Sequence, residues 1–170
     1  MDLSHWYFSL VYKKFNLRLQ KKIYQYKLNQ INRMLIELSL KDLQIKFQYD
    51  NTEKIYYIDC NGMENCILII CNQKIIISCL YPDFEIPESG LQNARQWCKD
   101  WNRRHVEQKI YISPNKKYFI SEFTTDIYNV TESRIMKDSV LKPCFSALFE
   151  FQHEIVKFMT DKDIVLSGQP

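Results

Sequence analysis

The spacing of apolar positions changes from helical to alternating and back along this chain, and the changes mark out its elements. Leu3, Trp6, Tyr7, Leu10, Val11 and Phe15 recur near helical spacing, with Lys13, Lys14 and Arg18 between them. From Lys21 to Leu40 the spacing predicts a stronger helix whose apolar face carries Ile23, Leu28, Ile31, Leu35 and Leu38, with no Gly or Pro inside. The two stretches form either one helix or two separated by a bend near Asn16 to Arg18.

After Leu40 the period drops to two. Leu43, Ile45, Phe47 and Tyr49 alternate with Gln44, Lys46 and Gln48, the pattern of a strand with one buried face. Asp50 to Glu53 supplies turn chemistry, and Ile55 to Cys60 reads as a second strand. A turn at Asn61-Gly62, a strand from Cys66 to Cys71, a turn at Asn72-Gln73-Lys74 and a strand from Ile75 to Leu80 complete a four-strand meander. Tyr81 to Gly90 is a surface loop with Pro82 and Pro87, acidic through Asp83, Glu85 and Glu88.

Ser89 is the expected cap of a helix carrying Leu91, Ala94, Trp97, Cys98, Trp101 and His105 along one side. A strand from Val106 to Ile112, a turn at Pro114-Asn115 and a returning strand from Tyr118 to Phe123 follow. Thr131 or Ser133 then caps a final helix bearing Ile135, Leu141, Leu148, Ile155 and Phe158, which Pro143 must bend or split. The order α-β-β-β-β-α-β-β-α describes an α+β domain, an antiparallel meander packed with helices. Its expected layout is a helical extension over 1–20, one domain over 21–160 and a short tail over 161–170.

A chain of 170 residues, 46% hydrophobic and 25% charged, suits one folded domain. Charge changes the picture only at the start. In residues 1–30 six cations face one acid, a net +5 that leaves the remainder at −2. Trp6, Tyr7, Phe8, Tyr12, Tyr24 and Tyr26 interleave with those cations, a composition that suits either nucleic acid or an anionic membrane, or else packing on the sheet or across a dimer.

Six cysteines occur without a C-x-x-C pair or a His at zinc spacing, so no metal site is expected. With no secretory signal and no run long enough to span a bilayer, the chemistry predicts buried thiols in a reducing cytoplasm, Cys71 among them. No cofactor is expected either: three glycines form no phosphate-cradling loop. Cys98 and His105 share a helix face, but seven residues separate them by about 10 Å along the axis, whereas a nucleophile and its base approach to about 3 Å. No catalytic residues are assigned, and Asp83, Glu85 and Glu88 read as a solvated loop, not an ion site.

Trp101-Asn102-Arg103-Arg104 followed by a strand, the turn at Pro114-Asn115-Lys116, a strand, Asp126, Thr131-Glu132 and a helix holding Phe145 to Phe158 resembles the YbjN family. Members are called bacterial sensory transduction regulators, and their fold is like that of type III secretion chaperones. The resemblance runs from about Leu28 to Phe158. It departs from the family at Ser113-Pro114-Asn115-Lys116, where members often carry Asp-Gly, and in residues 1–20, which look like an addition.

The resemblance implies no catalytic residues. It implies a chaperone-like or regulatory protein that binds another protein, often as a homodimer. Trp101, Asn102 and Arg103 enter as the family motif, with Trp101 expected in the core and Asn102 holding the helix-to-strand turn.

Overall fold

The computed structural model describes residues 3–60, 63–71, 73–115 and 117–161, with side chains from residue 16 onward except at 60, 63 and 64. The turn at Asn61-Gly62, Asn72, Lys116, the tail beyond Asp161 and the side chains of the first helical stretch lie outside that description. Helix α1 spans Leu3–Asp42 as one element, so no bend interrupts it near Asn16 to Arg18. Strands β1 (Lys46–Asp50), β2 (Ile55–Cys60), β3 (Met63–Cys71) and β4 (Lys74–Tyr81) follow, then helix α2 (Leu91–Arg104). Strands β5 (Gln108–Ile112) and β6 (Phe119–Asp126) lead to the C-terminal helical segment. The α+β order predicted from periodicity is the order observed.

The strands form one six-stranded sheet in the order β1-β2-β3-β4-β6-β5, with every neighbouring pair antiparallel. The β6 strand pairs with β4 along its whole length, from Lys74↔Asp126 to Tyr81↔Phe119. The chain crosses from β4 to β6 through α2 and β5, which leaves β5 and β1 at the edges. Because side chains alternate, each strand gives one set to each face.

The inner face, with Tyr56, Ile58, Leu68, Ile75, Ile77 and Phe119, is buried under α2 and the C-terminal helix. Trp97 of α2 stacks on Phe158 at 4.5 Å between ring centroids and meets Phe119 edge-on at 5.3 Å. Two polar groups tie the layers: buried Gln108 donates to Ser121 Oγ at 2.9 Å and to Ala147 O at 3.1 Å, and the Tyr81 hydroxyl donates to Leu148 O at 3.1 Å. Both satisfy groups that would be costly to bury unpaired.

Several local expectations are corrected. The β1 strand starts at Lys46, because Gln44 takes a left-handed φ of 57° and Leu43 and Ile45 belong to the turn after α1. Helix α2 has Gly90 at its N-cap, not Ser89, which sits in a 3-10 turn over Glu88–Gly90. Val106 lies outside β5 and is 85% exposed, since the chain bends after His105 before pairing begins.

The C-terminal segment runs as α3 (Ser133–Ile135), a π-helical turn (Met136–Leu141) and α4 (Lys142–Asp161), with Glu132 at the N-cap and no side-chain cap there. Pro143 does not split it. The preceding turn widens instead, with Lys142 N donating to Lys137 O, which makes room for a ring that a regular turn would exclude.

The buried stripe of α1 also differs from the predicted one. Asn32, Leu35, Ile36, Ser39 and Leu40 are buried, whereas Ile23, Ile31 and Leu38 are each at least 45% exposed. Among the described residues α1 meets the body from about Tyr26 onward: Arg33 lies over the Tyr49 ring and donates to Asn51 Oδ1 at 3.3 Å, Tyr56 Oη donates to Glu37 Oε1 at 3.2 Å and Ser39 Oγ donates to Ser133 O at 2.8 Å.

Candidate functional site

The corner between α2 and β5 is built by three consecutive side chains with different tasks. Trp101 is buried, stacks on His105 with centroids 4.0 Å apart and meets Phe151 edge-on at 5.2 Å. Its indole N–H is buried without an acceptor among the described residues. Asn102 donates through Nδ2 to Ile110 O at 2.9 Å and accepts from Ile110 N at 2.8 Å, so its carboxamide pairs with β5 as a neighbouring strand would. Arg103 points outward to Asp100, at 3.4 Å, an exposed pair of little energetic weight.

Lys109 completes the corner by donating to the carbonyls of Asn102 and His105, at 2.8 and 2.6 Å, where the helix leaves acceptors unpaired. The spacing reading did not single out this lysine. Its signal was its place in the first turn of strand beyond a helix C-terminus, where a cation completes the dipole.

A cleft of about 730 Å³ opens beside this corner, lined by Trp101, His105, Glu107, Phe123, Glu150 and His153 among others. No Cys, Ser or Thr lines it, and its acidic and imidazole groups are Glu107, Glu150, Glu154, His105 and His153. Cys98 lies apart in the interior, where burial pushes its thiol up to about 12, and Cys144 is raised to about 12 in the same way. Cys71 is exposed, contrary to expectation, because its place in β3 puts it on the outer face near the strand end. Among the described residues no group of three His, Cys, Asp or Glu is placed to hold a metal ion. No described helix is long and apolar enough to cross a membrane.

The outer face of the sheet is the more distinctive surface. Register puts Ile55 beside Ile69, Ile69 beside Ile76, Tyr57 beside Ile67 and Leu80 beside Ile120, all on the side away from the helices. The aliphatic members are half-buried, and Tyr57 and Tyr111 are 44% and 45% exposed. A shallow apolar hollow of about 490 Å³ lies there between Ile67, Ser78, Leu80, Ile120, Pro114 and Tyr118.

The rim of this hollow is rigidly made. Tyr118 N donates to Ser113 Oγ at 3.0 Å, Ser113 N to Tyr118 O at 2.8 Å, and Lys117 N to Asn115 Oδ1 at 3.2 Å. The acidic loop braces the same turn: Ile86 N donates to Lys117 O at 2.6 Å, and Glu85 lies 3.3 Å from Lys117 Nζ. Sequence reading missed this surface. Its signal was the nearly unbroken apolar runs of β3 and β4, which suit a sheet covered on both faces, in a chain with helices for one.

No protein-family model matches the chain, and no curated protein matches it in sequence. Its fold is similar to the crystal structure of YbjN from E. coli, described as a putative transcription regulator. The TM-score is 0.52 at 12% sequence identity, covering 78% of this chain and 93% of that chain. At that identity the likeness is one of fold. The likeness of fold expected from the order of elements is thus present in three dimensions.

Proposed function

We propose that this chain is a non-enzymatic regulatory or chaperone-like protein of the cytoplasm that binds another protein on the outer face of its sheet. The observation that carries the reading is the apolar outer face itself, where Ile67, Ile69, Ile76, Leu80 and Ile120 have no helical cover from the described residues of their own chain. An antiparallel sheet normally turns a polar set of side chains to water on its free side. The fold likeness to a described regulator supports the reading.

The test places a photo-crosslinking amino acid at Ile76 in the full chain inside its native cell, with mass spectrometry of the adducts. A discrete protein adduct that disappears when Ile67 and Ile120 are both changed to Lys supports the reading. Adducts unaffected by those changes, or turnover of a small molecule by the pure protein, would overturn it. The mass of the pure protein in solution separates a second copy of this chain from a different partner.

A further inference from the structure

Helix α1 is 40 residues long, and among its described side chains the contacts with the body lie in its second half, from Tyr26 to Ser39. From Asn16 to Ile31 every side chain is exposed except Gln25 and Leu28, which are half-buried. This arm carries an exposed apolar stripe that continues the one packing on the body. Leu17, Tyr24, Ile31 and Leu38 follow one another in steps of seven and are 63%, 67%, 47% and 45% exposed. Lys21, Leu28 and Leu35 fall between them, so the two sets alternate in steps of three and four, the 3.5-residue repeat of a coiled-coil seam.

The seam runs from open solvent at Leu17 into the core at Leu35, which is 5% exposed. Leu19, Ile23 and Tyr26 lie off it.

The charges beside the seam restrict what covers it. No Asp or Glu occurs between Asp2 and Glu37. The positions flanking the described seam hold Arg18, Gln20, Gln25, Lys27, Asn32 and Met34, and Lys21 sits within it. In a coiled coil these flanking positions meet their counterparts on the partner and set the choice of partner. A second copy in parallel register would set Lys21 against Lys21 inside the seam. An amphipathic helix with acidic flanks would instead bring carboxylates to Arg18 and Lys27, and the exposed stem of Lys21 can carry its ammonium out to the same carboxylates. A nucleic acid would answer the cations but leave Leu17, Tyr24 and Ile31 without apolar cover.

We propose that the α1 arm is a half coiled coil that receives an acid-flanked amphipathic helix from another protein along Leu17, Tyr24, Leu28 and Ile31. This interface is separate from the outer sheet face and stands whether or not that face binds a protein.

The experiment uses the full chain and three designed helical peptides, with binding followed by fluorescence anisotropy of the labelled peptide. The first has Leu and Ile at the seam positions and Glu at both flanks. The second has the same seam with Lys at the flanks, and the third keeps the Glu flanks with Gln at the seam. The Glu-flanked peptide is expected to bind roughly four- to thirtyfold more tightly than the Lys-flanked one, since two attractive pairs replace two repulsive ones. The Gln-seam peptide should not bind.

Changing Tyr24 and Ile31 both to Asp removes binding of the first peptide, while Ile67 and Ile120 changed to Lys leave it intact. Because Tyr24 and Ile31 are exposed, thermal unfolding of that variant stays close to the parent and separates lost binding from lost fold. Equal binding of the Glu- and Lys-flanked peptides would overturn the proposal. So would a doubled solution mass abolished by the Asp variant, or binding of duplex DNA or phosphatidylglycerol vesicles with no binding of the Glu-flanked peptide.

Discussion

The inner and outer faces of the sheet draw on the same residue types in β3 and β4, yet they differ in everything that covers them. Inside, Leu68 and Ile77 are fully buried on the face where Phe151 of α4 packs on Tyr81 and Trp97 of α2 packs on Phe119. Outside, Ile69 and Ile76 touch each other across the strands and remain half-buried. Burial of the inner set stabilises the fold, whereas the outer set keeps apolar area that only another surface can remove from water. Apolar composition of a strand is therefore no guide by itself to what the residue does; the supply of covering elements decides.

The sharpest way to break this comparison is to cut into the covered side. Phe151→Ala removes a ring that stacks with Trp97 and meets Tyr81 and Trp101, and should cost about 3–5 kcal/mol in denaturant unfolding. A loss below about 1 kcal/mol would mean that α4 does not seal the inner face as described. Asn102→Ala removes both bonds to Ile110 and should cost about 2 kcal/mol by the same measurement.

The thiols report the contrast in another way. Cys98 and Cys144 ionise near 12 in the folded chain against an ordinary value of 9.0, while the unfolded chain loses those protons first. The unfolded state thus binds fewer protons between about pH 9 and pH 12, and stability should fall as pH rises through that window. Thermal unfolding at stepped pH measures the fall, and below pH 9 these thiols should contribute no slope. Alkylation under native conditions should mark the exposed Cys71 well before either buried thiol. The smallest stability effect is expected outside: Ile76→Thr should shift unfolding by no more than about 0.5 kcal/mol, and its consequence should appear in partner crosslinking instead.

Much of the fold was legible because alternation and helical spacing are local. The β1–β4 meander, α2 and the β5–β6 hairpin all lie within a few residues of their predicted places. Boundaries failed where a single backbone angle decided them, as at Gln44, or where a helix began without a capping side chain, as at Gly90 and Glu132. The face of α1 failed for a different reason. Its apolar residues are covered unevenly, Leu35, Ile36 and Leu40 within the body and Tyr24, Ile31 and Leu38 outside it, and only the tertiary arrangement says which set is covered.

The candidate surfaces were hardest to read. The outer face and the arm are defined by what does not pack on them, and periodicity records only which residues could pack.

The Asn102 carboxamide has a further consequence for how the molecule behaves in a crowded cell. The β5 strand is an edge of the sheet, and an edge with open amides and carbonyls is a template on which other chains can polymerise. By occupying the N–H and C=O of Ile110, a single side chain ends the hydrogen-bond ladder from within the same molecule. Its loss would make the protein less stable and would also expose a seed for aggregation.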